Sequence, residues 1–254
     1  MSKNVLIDHP CFSNDCKKGR MHLPVAKACN IACKYCDRRY DCVNESRPGV
    51  TSKLLKPDQV IDYIKKCDTD ENSIKVIGIA GPGEPLYNKE TFETLEIIRN
   101  NFDKIICLST NGLLLSEKLD QYGKFCHSIT VTVNTLKAET VPRIYDSVLV
   151  PAEVFIAKQL EGIKKAKAIG MIVKINIVAI KTVNDYEVIS IAKKMKGMGV
   201  DIVNIINLIP QNKFDKSNVL SNLDYEKLKG EVSNILPILK DCKRCRADAV
   251  GRIR

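Results

Sequence analysis

Three thiols dominate the chemistry this sequence could do. Cys29, Cys33 and Cys36 fall within "ACNIACKYC" at a C-x3-C-x2-C spacing, and Cys42 follows in the same loop. A cubane iron–sulfur cluster offers one external ligand position on each iron, and cysteine thiolates normally fill them. Three cysteines this close can serve three corners of one cubane and leave the fourth iron open to a small molecule. The alternative, a structural zinc site, usually shows two separated C-x2-C pairs or a Cys/His set, which this spacing does not match well. The chain carries 11 cysteines, an odd number that suits a reducing compartment, where clustered thiols point to metal or catalysis rather than disulfides.

Positioning those thiols falls to a repeated unit in which short β-branched runs alternate with stretches of helical period. "MHLPVAK" (21–27) is a first strand, followed by the cysteine loop and a helix opening at Pro57. Further strands are expected in "SIKVIGIAG", "KIICLST", "HSITVTVNT", "MIVKINIVAI" and "VDIVNIINLIP". Their helices are "KETFETLEIIRNNF", "SEKLDQYGKF", "VFIAKQLEGIKKAKAIG", "NDYEVISIAKKMKGMG" and "LDYEKLKGEVSNIL". Strands this apolar are covered on both faces, and right-handed crossovers make the sheet parallel. The expectation is an α/β fold: a partial (βα)6 barrel over 21–236, with its site at the C-terminal strand ends. The cysteine-bearing head (1–20) and tail (237–254) then close the mouth of one domain spanning 1–254.

No run approaches eighteen uncharged apolar residues and the start lacks an apolar signal region, so a cytoplasmic protein without a membrane span is expected. The net charge of +10 and pI near 9.0 allow an anionic partner. The lysines, however, are spread over helix faces, as a solvated surface requires, and no nucleic acid is expected.

The cysteine spacing, with Tyr35 before the last Cys, resembles the radical S-adenosylmethionine (SAM) superfamily. "AGPGEP" (80–85) looks like that superfamily's GGEP element with Pro82 in place of one glycine. The resemblance implies that Cys29, Cys33 and Cys36 hold a 4Fe-4S cluster whose open iron is chelated by SAM. It also implies that Gly81, Gly83, Glu84 and nearby backbone bind the SAM amino group. A carboxylate complements an ammonium, and a glycine-rich strand end lets backbone approach a ligand.

The match runs further. "HPCF" (9–12), "GRMHLPVA" (19–26), "YDCVNESRPGVTS" (40–52), "STNGLLL" (109–115) and "CKRCRADAVG" (242–251) resemble the NifB family of nitrogenase cofactor maturases, over nearly the whole chain. The usual bacterial versions carry an added C-terminal domain, so the short archaeal-type form is expected here. The resemblance implies two auxiliary 4Fe-4S clusters, K1 and K2, used as substrates and held by Cys11, Cys42, Cys107, Cys242 and Cys245. It further implies a histidine ligand, for which His22 is chosen. K1 and K2 would be methylated from SAM and fused into an eight-iron, carbide-centred precursor. The implied partners are SAM, an iron–sulfur cluster donor, an electron donor such as ferredoxin, and a carrier or scaffold for the product.

Other residues have plainer readings beside these. His9 starts the HPC motif and orients Cys11, or binds; His127 reads as structural. "SNDCKKG" is shorter than the family's histidine-bearing stretch, which leaves Cys16 as a possible replacement ligand. Cys67 and Cys126 fit no motif and read as buried thiols. "IICLST" alone would make Cys107 a core filler; its position two residues before "STNG" favours the site. Asn111, Asn134 and Asn176 are expected at the mouth as SAM contacts, although a strand-end Asn can also be a cap. Glu45 is a candidate proton acceptor, since converting methyl to carbide removes protons. A radical SAM enzyme acting on RNA and a non-catalytic cluster carrier are the rival functions.

Overall fold

The protein is seen in a computed structural model that describes residues 9–13, 18–37, 49–240, 242 and 244–252. Six strands run parallel: β1 (Gly19–His22), β3 (Ile74–Ile79), β4 (Ile105–Thr110), β5 (Ser128–Thr132), β7 (Ile172–Ala179) and β8 (Ile202–Asn207). Their spatial order is β8-β7-β5-β4-β3-β1, the succession expected of a half-barrel wound in one direction, and the sheet curls accordingly. The strands are rich in Ile and Val, whose branched side chains suit a pleated surface.

Alternation along each strand separates two chemistries. Ile106, Leu108, Ile129, Val131, Val173, Ile175, Val203 and Ile205 are fully or almost fully buried in the main core. The intervening positions, from Cys107 and Ser109 to Thr130, Thr132, Lys174, Asn176 and Asn204, line a cavity on the concave side. The expectation of apolar cover on both faces holds for the outer face alone; the inner face is polar and lines the cavity.

Helices α1 (Val60–Cys67), α2 (Lys89–Asn101), α3 (Leu119–Tyr122), α5 (Ala152–Ala168), α6 (Val188–Gly197) and α7 (Asn222–Ser233) follow the parallel strands in turn. In α2 the buried residues Thr91, Thr94, Leu95 and Ile98 recur at helical spacing, as a face against a sheet demands. The helix expected over "SEKLDQYGKF" shrinks to the four residues of α3. It ends at Gly123, whose N–H closes on the Leu119 carbonyl, because glycine is a poor helix former.

Two features were not expected from the sequence. After a short α4 (Val141–Ile144), strand β6 (Tyr145–Val148) pairs antiparallel with β2 (Ile31–Cys33), inside the cysteine loop. The tail also supplies a strand, β9 (Val250–Arg252), antiparallel to β1 at the sheet edge. The Arg20 guanidinium clips it in place with a 2.5 Å hydrogen bond to the Gly251 carbonyl.

Candidate functional site

The cysteine loop is held at both ends. At its start, Gly83 N–H donates to the Ala26 carbonyl (2.6 Å) and Glu84 N–H to that of Ala28 (2.9 Å). Asn88 completes the clamp: its Oδ1 accepts from Ala28 N–H (3.0 Å), and its Nδ2 donates to the Ala28 (2.9 Å) and Glu84 (2.7 Å) carbonyls. Only glycine fits at 83, because a Cβ there would lie 2.7 Å from the Ala28 carbonyl carbon and 2.8 Å from the Lys27 oxygen. At its end, the segment after β8 takes hold: Gln211 Nε2 donates to the Tyr35 carbonyl (2.6 Å) and Asn212 Nδ2 to that of Cys36 (3.2 Å). The β2–β6 pair secures the middle, placing Cys33 opposite Tyr145.

The loop delivers Cys29, Cys33 and Cys36 to the lining of a cavity of about 400 Å³. Cys11, Cys107, Cys242, Cys245 and His22 line the same cavity. Head, barrel and tail thus bring a second set of thiols to the same cavity as the first. His22, Gly78 and Cys107 lie in register across β1, β3 and β4. A Cβ on Gly78 would stand 2.8 Å from Cys107 Sγ and 3.8 Å from His22 Nε2, so both side chains reach into space that glycine leaves open. His22 Nδ1 lies 2.9 Å from the Arg246 carbonyl, which fixes the proton there and leaves Nε2 with its lone pair. Burial lowers its pKa to about 4, so the ring is neutral at pH 7. A backbone acceptor on the far nitrogen is the arrangement that metal-binding histidines use. Burial pushes the Cys11 and Cys107 thiols upward, so binding metal there must release their protons. Arg20 Nη2 donates to Cys245 Sγ at 3.1 Å, and Lys174 and Arg244 also line the cavity, a setting suited to an anion.

The matching family model is the radical SAM superfamily, over residues 23–195. Among curated relatives, the FeMo cofactor biosynthesis protein NifB of Methanocaldococcus infernus is 45% identical over 100% of this chain and 89% of its own length. That of Methanocaldococcus jannaschii is 43% identical, with 97% and 86% covered. The chain belongs to the NifB family. Its NifB relative in Klebsiella pneumoniae is 39% identical over 96% of the chain, which spans 57% of that protein. Solved structures superpose as well: Streptococcus suis SuiB at TM-score 0.66 (15% identity, 88% of this chain and 49% of that one) and methylornithine synthase PylB at 0.55 (18%, 94% and 71%). At those identities they speak for the fold alone.

A NifB-family chain is a radical SAM enzyme, which implies a 4Fe-4S cluster and SAM. The donor set suits a cubane. Cys29, Cys33 and Cys36 line one cavity, and thiolates are the usual external ligands of a cubane's irons.

The remaining NifB-family candidates divide. Glu84 lines the cavity, its Oε1 accepting from Thr110 Oγ1 (2.5 Å) and Leu86 N–H (3.1 Å), and its Oε2 from Asn111 N–H (2.7 Å). Burial raises its pKa to about 7 despite these bonds. Asn111 lines the cavity with its amide engaged by Asn30 (2.7 Å), and Asn176 lines it with Oδ1 accepting from Asn204 (3.1 Å). Asn134 is corrected. It is 1% exposed and off the cavity wall, with Nδ2 donating to the hydroxyls of Tyr35 (2.9 Å) and Tyr145 (3.1 Å) and Oδ1 accepting from Val178 N–H (2.9 Å). It is a strut behind Tyr35. Asn134→Ala should lower stability by about 2 kcal/mol, read by denaturant unfolding, because it leaves buried partners unpaired.

Gly81, at φ +121°, shapes the turn before Gly83 without lining the cavity. Cys16, Cys42 and Glu45 lie outside the described residues. Cys126 is buried in the main core, Cys67 ends α1, and neither lines the cavity. His127 accepts from Ile106 N–H on Nδ1 (3.0 Å), as a structural histidine would. Sequence reasoning passed over Asn88, Gln211, Asn212 and Lys174. Only Lys174 left a signal, as a charge at an inward position of an apolar strand.

Proposed function

We propose that this NifB-family enzyme acts in FeMo cofactor biosynthesis as a carbide synthase. It would methylate one of two auxiliary cubanes, K1 and K2, from SAM, remove hydrogen from that methyl group, and fuse the pair into the eight-iron, carbide-centred precursor with an added sulfide. One observation carries the reading: the C-x3-C-x2-C thiols and the Cys11, Cys107, Cys242 and Cys245 thiols line one cavity. The cluster on Cys29, Cys33 and Cys36, when bound, supplies the electron that cleaves SAM to a 5′-deoxyadenosyl radical.

The chain's own residues do the rest of the positioning. Glu84 and the backbone at Gly83 receive the SAM ammonium beside the cysteine loop, and Asn111 and Asn176 offer amides to the rest of SAM. His22 Nε2 and Cys107 take neighbouring positions on one auxiliary cluster, while Arg20, Lys174 and Arg244 offset its negative charge. The tail excludes water. Asp248 Oδ2 accepts from Ser52 N–H (2.7 Å) and Oγ (2.6 Å), and Ala247 N–H donates to the Val50 carbonyl (2.8 Å), tying tail to loop. Cys42 and Glu45 remain proposed as a ligand and a proton acceptor. A cluster donor, an electron donor such as ferredoxin and a product carrier complete the system.

The test is anaerobic turnover with SAM labelled in its methyl carbon. The reading expects 5′-deoxyadenosine together with label retained in the extractable cluster fraction. Cleavage of SAM with no label in that fraction, or label transferred to RNA, would sink it.

Glu84 gives a pH prediction. Its folded pKa near 7 means the carboxyl is protonated in mild acid. SAM affinity should therefore rise from pH 6 to pH 8 as the carboxylate forms. Calorimetry should show that step in the wild type and lose it in Glu84→Gln, with binding weakened about tenfold or more.

A further inference from the structure

The head of the chain holds a histidine that the cysteine ligand set does not account for. His9 is 1% exposed, lines the cavity and lies against Phe12 with ring centroids 4.4 Å apart. The Cys11 backbone N–H donates to its Nδ1 at 3.2 Å. That nitrogen is therefore an acceptor, and a neutral imidazole must carry its proton on Nε2. Nε2 is buried and, among the described residues, has no hydrogen-bond partner. An orphaned donor in a buried site calls for an explanation, commonly a ligand.

Lys174 lies beside it. The side chain is 5% exposed on β7, and its Nζ donates to the Cys11 carbonyl (2.8 Å) and sits 4.8 Å from the Phe12 ring centroid. An ammonium has three donors, and among the described residues it makes this one hydrogen bond and pairs with no carboxylate. A buried charge without a counter-ion is costly. The turn from His9 to Phe12 and the β7 side chain packed on it thus present one neutral donor and one cation to the cavity that Cys11 and Cys107 also line.

We infer that His9 and Lys174 form a recognition pair that hydrogen-bonds the sulfide core of an auxiliary cluster without coordinating its iron. His22 and His9 then have opposite roles fixed by opposite tautomers: His22 offers a lone pair, His9 a proton. The pair suits a substrate cluster that must change its thiolate ligands, because donors to sulfide can stay in contact while metal–ligand bonds exchange. The inference rests on the two-cluster reading above.

The experiment uses the full chain, reconstituted anaerobically, as wild type, His9→Phe, His9→Gln, Lys174→Met and Lys174→Arg. Hydrogen bonds and positive charge near sulfide favour the reduced cluster. His9→Phe and Lys174→Met should each lower the midpoint potential of the auxiliary signal in a redox titration followed by electron paramagnetic resonance. Each should also speed iron loss to a chelator about tenfold, the scale of one lost charge-assisted hydrogen bond. Lys174→Arg and His9→Gln, which keep a donor, should recover most of both. The signal of the cluster on Cys29, Cys33 and Cys36 is the folding control. Auxiliary potentials and release rates unchanged in both deletion variants would overturn the inference.

If a deletion variant loses the control signal, wild type with 15N-histidine decides. A strong ligand coupling plus a weak hydrogen-bonded one is expected; the strong coupling alone would overturn the pairing. A wild type that takes up only one cubane would refute the two-cluster reading first, and this inference with it.

Discussion

Replacing Cys29, Cys33 and Cys36 together by alanine abolishes reductive SAM cleavage and leaves the second set of thiols loaded with iron. The three side chains sit on a loop whose anchors are backbone bonds and the Asn88, Gln211 and Asn212 amides, none of which involves a thiol. Alanine therefore removes the ligands while these anchors stay in place. A fall in 5′-deoxyadenosine formation of at least about 10³-fold is expected, since enzymes commonly run ~10⁶-fold or more above the uncatalysed rate. Iron should drop by one cubane per chain. A variant that loses all its iron would mean that the second thiol set has no cluster of its own.

Gly83→Ala carries the second large effect, and for a different reason. The added methyl collides with the backbone of Lys27 and Ala28, not with a side chain that could swing away. Either β3 or the start of the cysteine loop must move, and Glu84 and Cys29 are the residues next to the collision. Misplacement by about 1 Å can cost ~10²-fold in rate, and overpacking adds about 1–3 kcal/mol of instability. SAM cleavage should fall by about 10²-fold, with a lower denaturation midpoint. Gly230→Ala is the control: it lies in α7 with nothing within 4 Å of the new methyl, so it should gain about 0.5–1 kcal/mol and keep full activity. Equal activity in the two variants would show that the Gly83–Ala28 contact does not position the loop.

Much of the fold was legible because it is written in local patterns. Six β-then-α units, the site at their C-terminal ends, and the cysteine loop after the first strand all follow from periodicity and spacing. What stayed hidden depends on long-range pairing. Strand β6 is four residues, "YDSV", with no alternation to mark it, and it exists because β2 offers an edge. Strand β9 is formed by three tail residues that the edge of β1 and the Arg20 clip hold in place.

The site shows the same division. Motif residues such as Glu84, His22 and Cys107 were found by their surroundings in sequence and do line the cavity. Asn134 was misread because its parity on the strand points inward, while the Tyr35 and Tyr145 hydroxyls have already claimed its amide. His9, read as orienting Cys11 or binding, accepts from the Cys11 backbone N–H, a contact that the motif could not show. Parity and motif position give direction; only the packed structure gives the partner.

The convergence of two thiol sets on one cavity is tested most directly by electron paramagnetic resonance of the reduced, reconstituted wild type, with iron counted in the same sample. The expected result is iron well above one cubane per chain and a spectrum broadened by magnetic interaction between neighbouring clusters; the Cys29/Cys33/Cys36 triple-alanine variant should lose one cubane of iron and the part of that interaction which involves it. A single cubane per chain, or several clusters giving sharp, non-interacting signals, would contradict it.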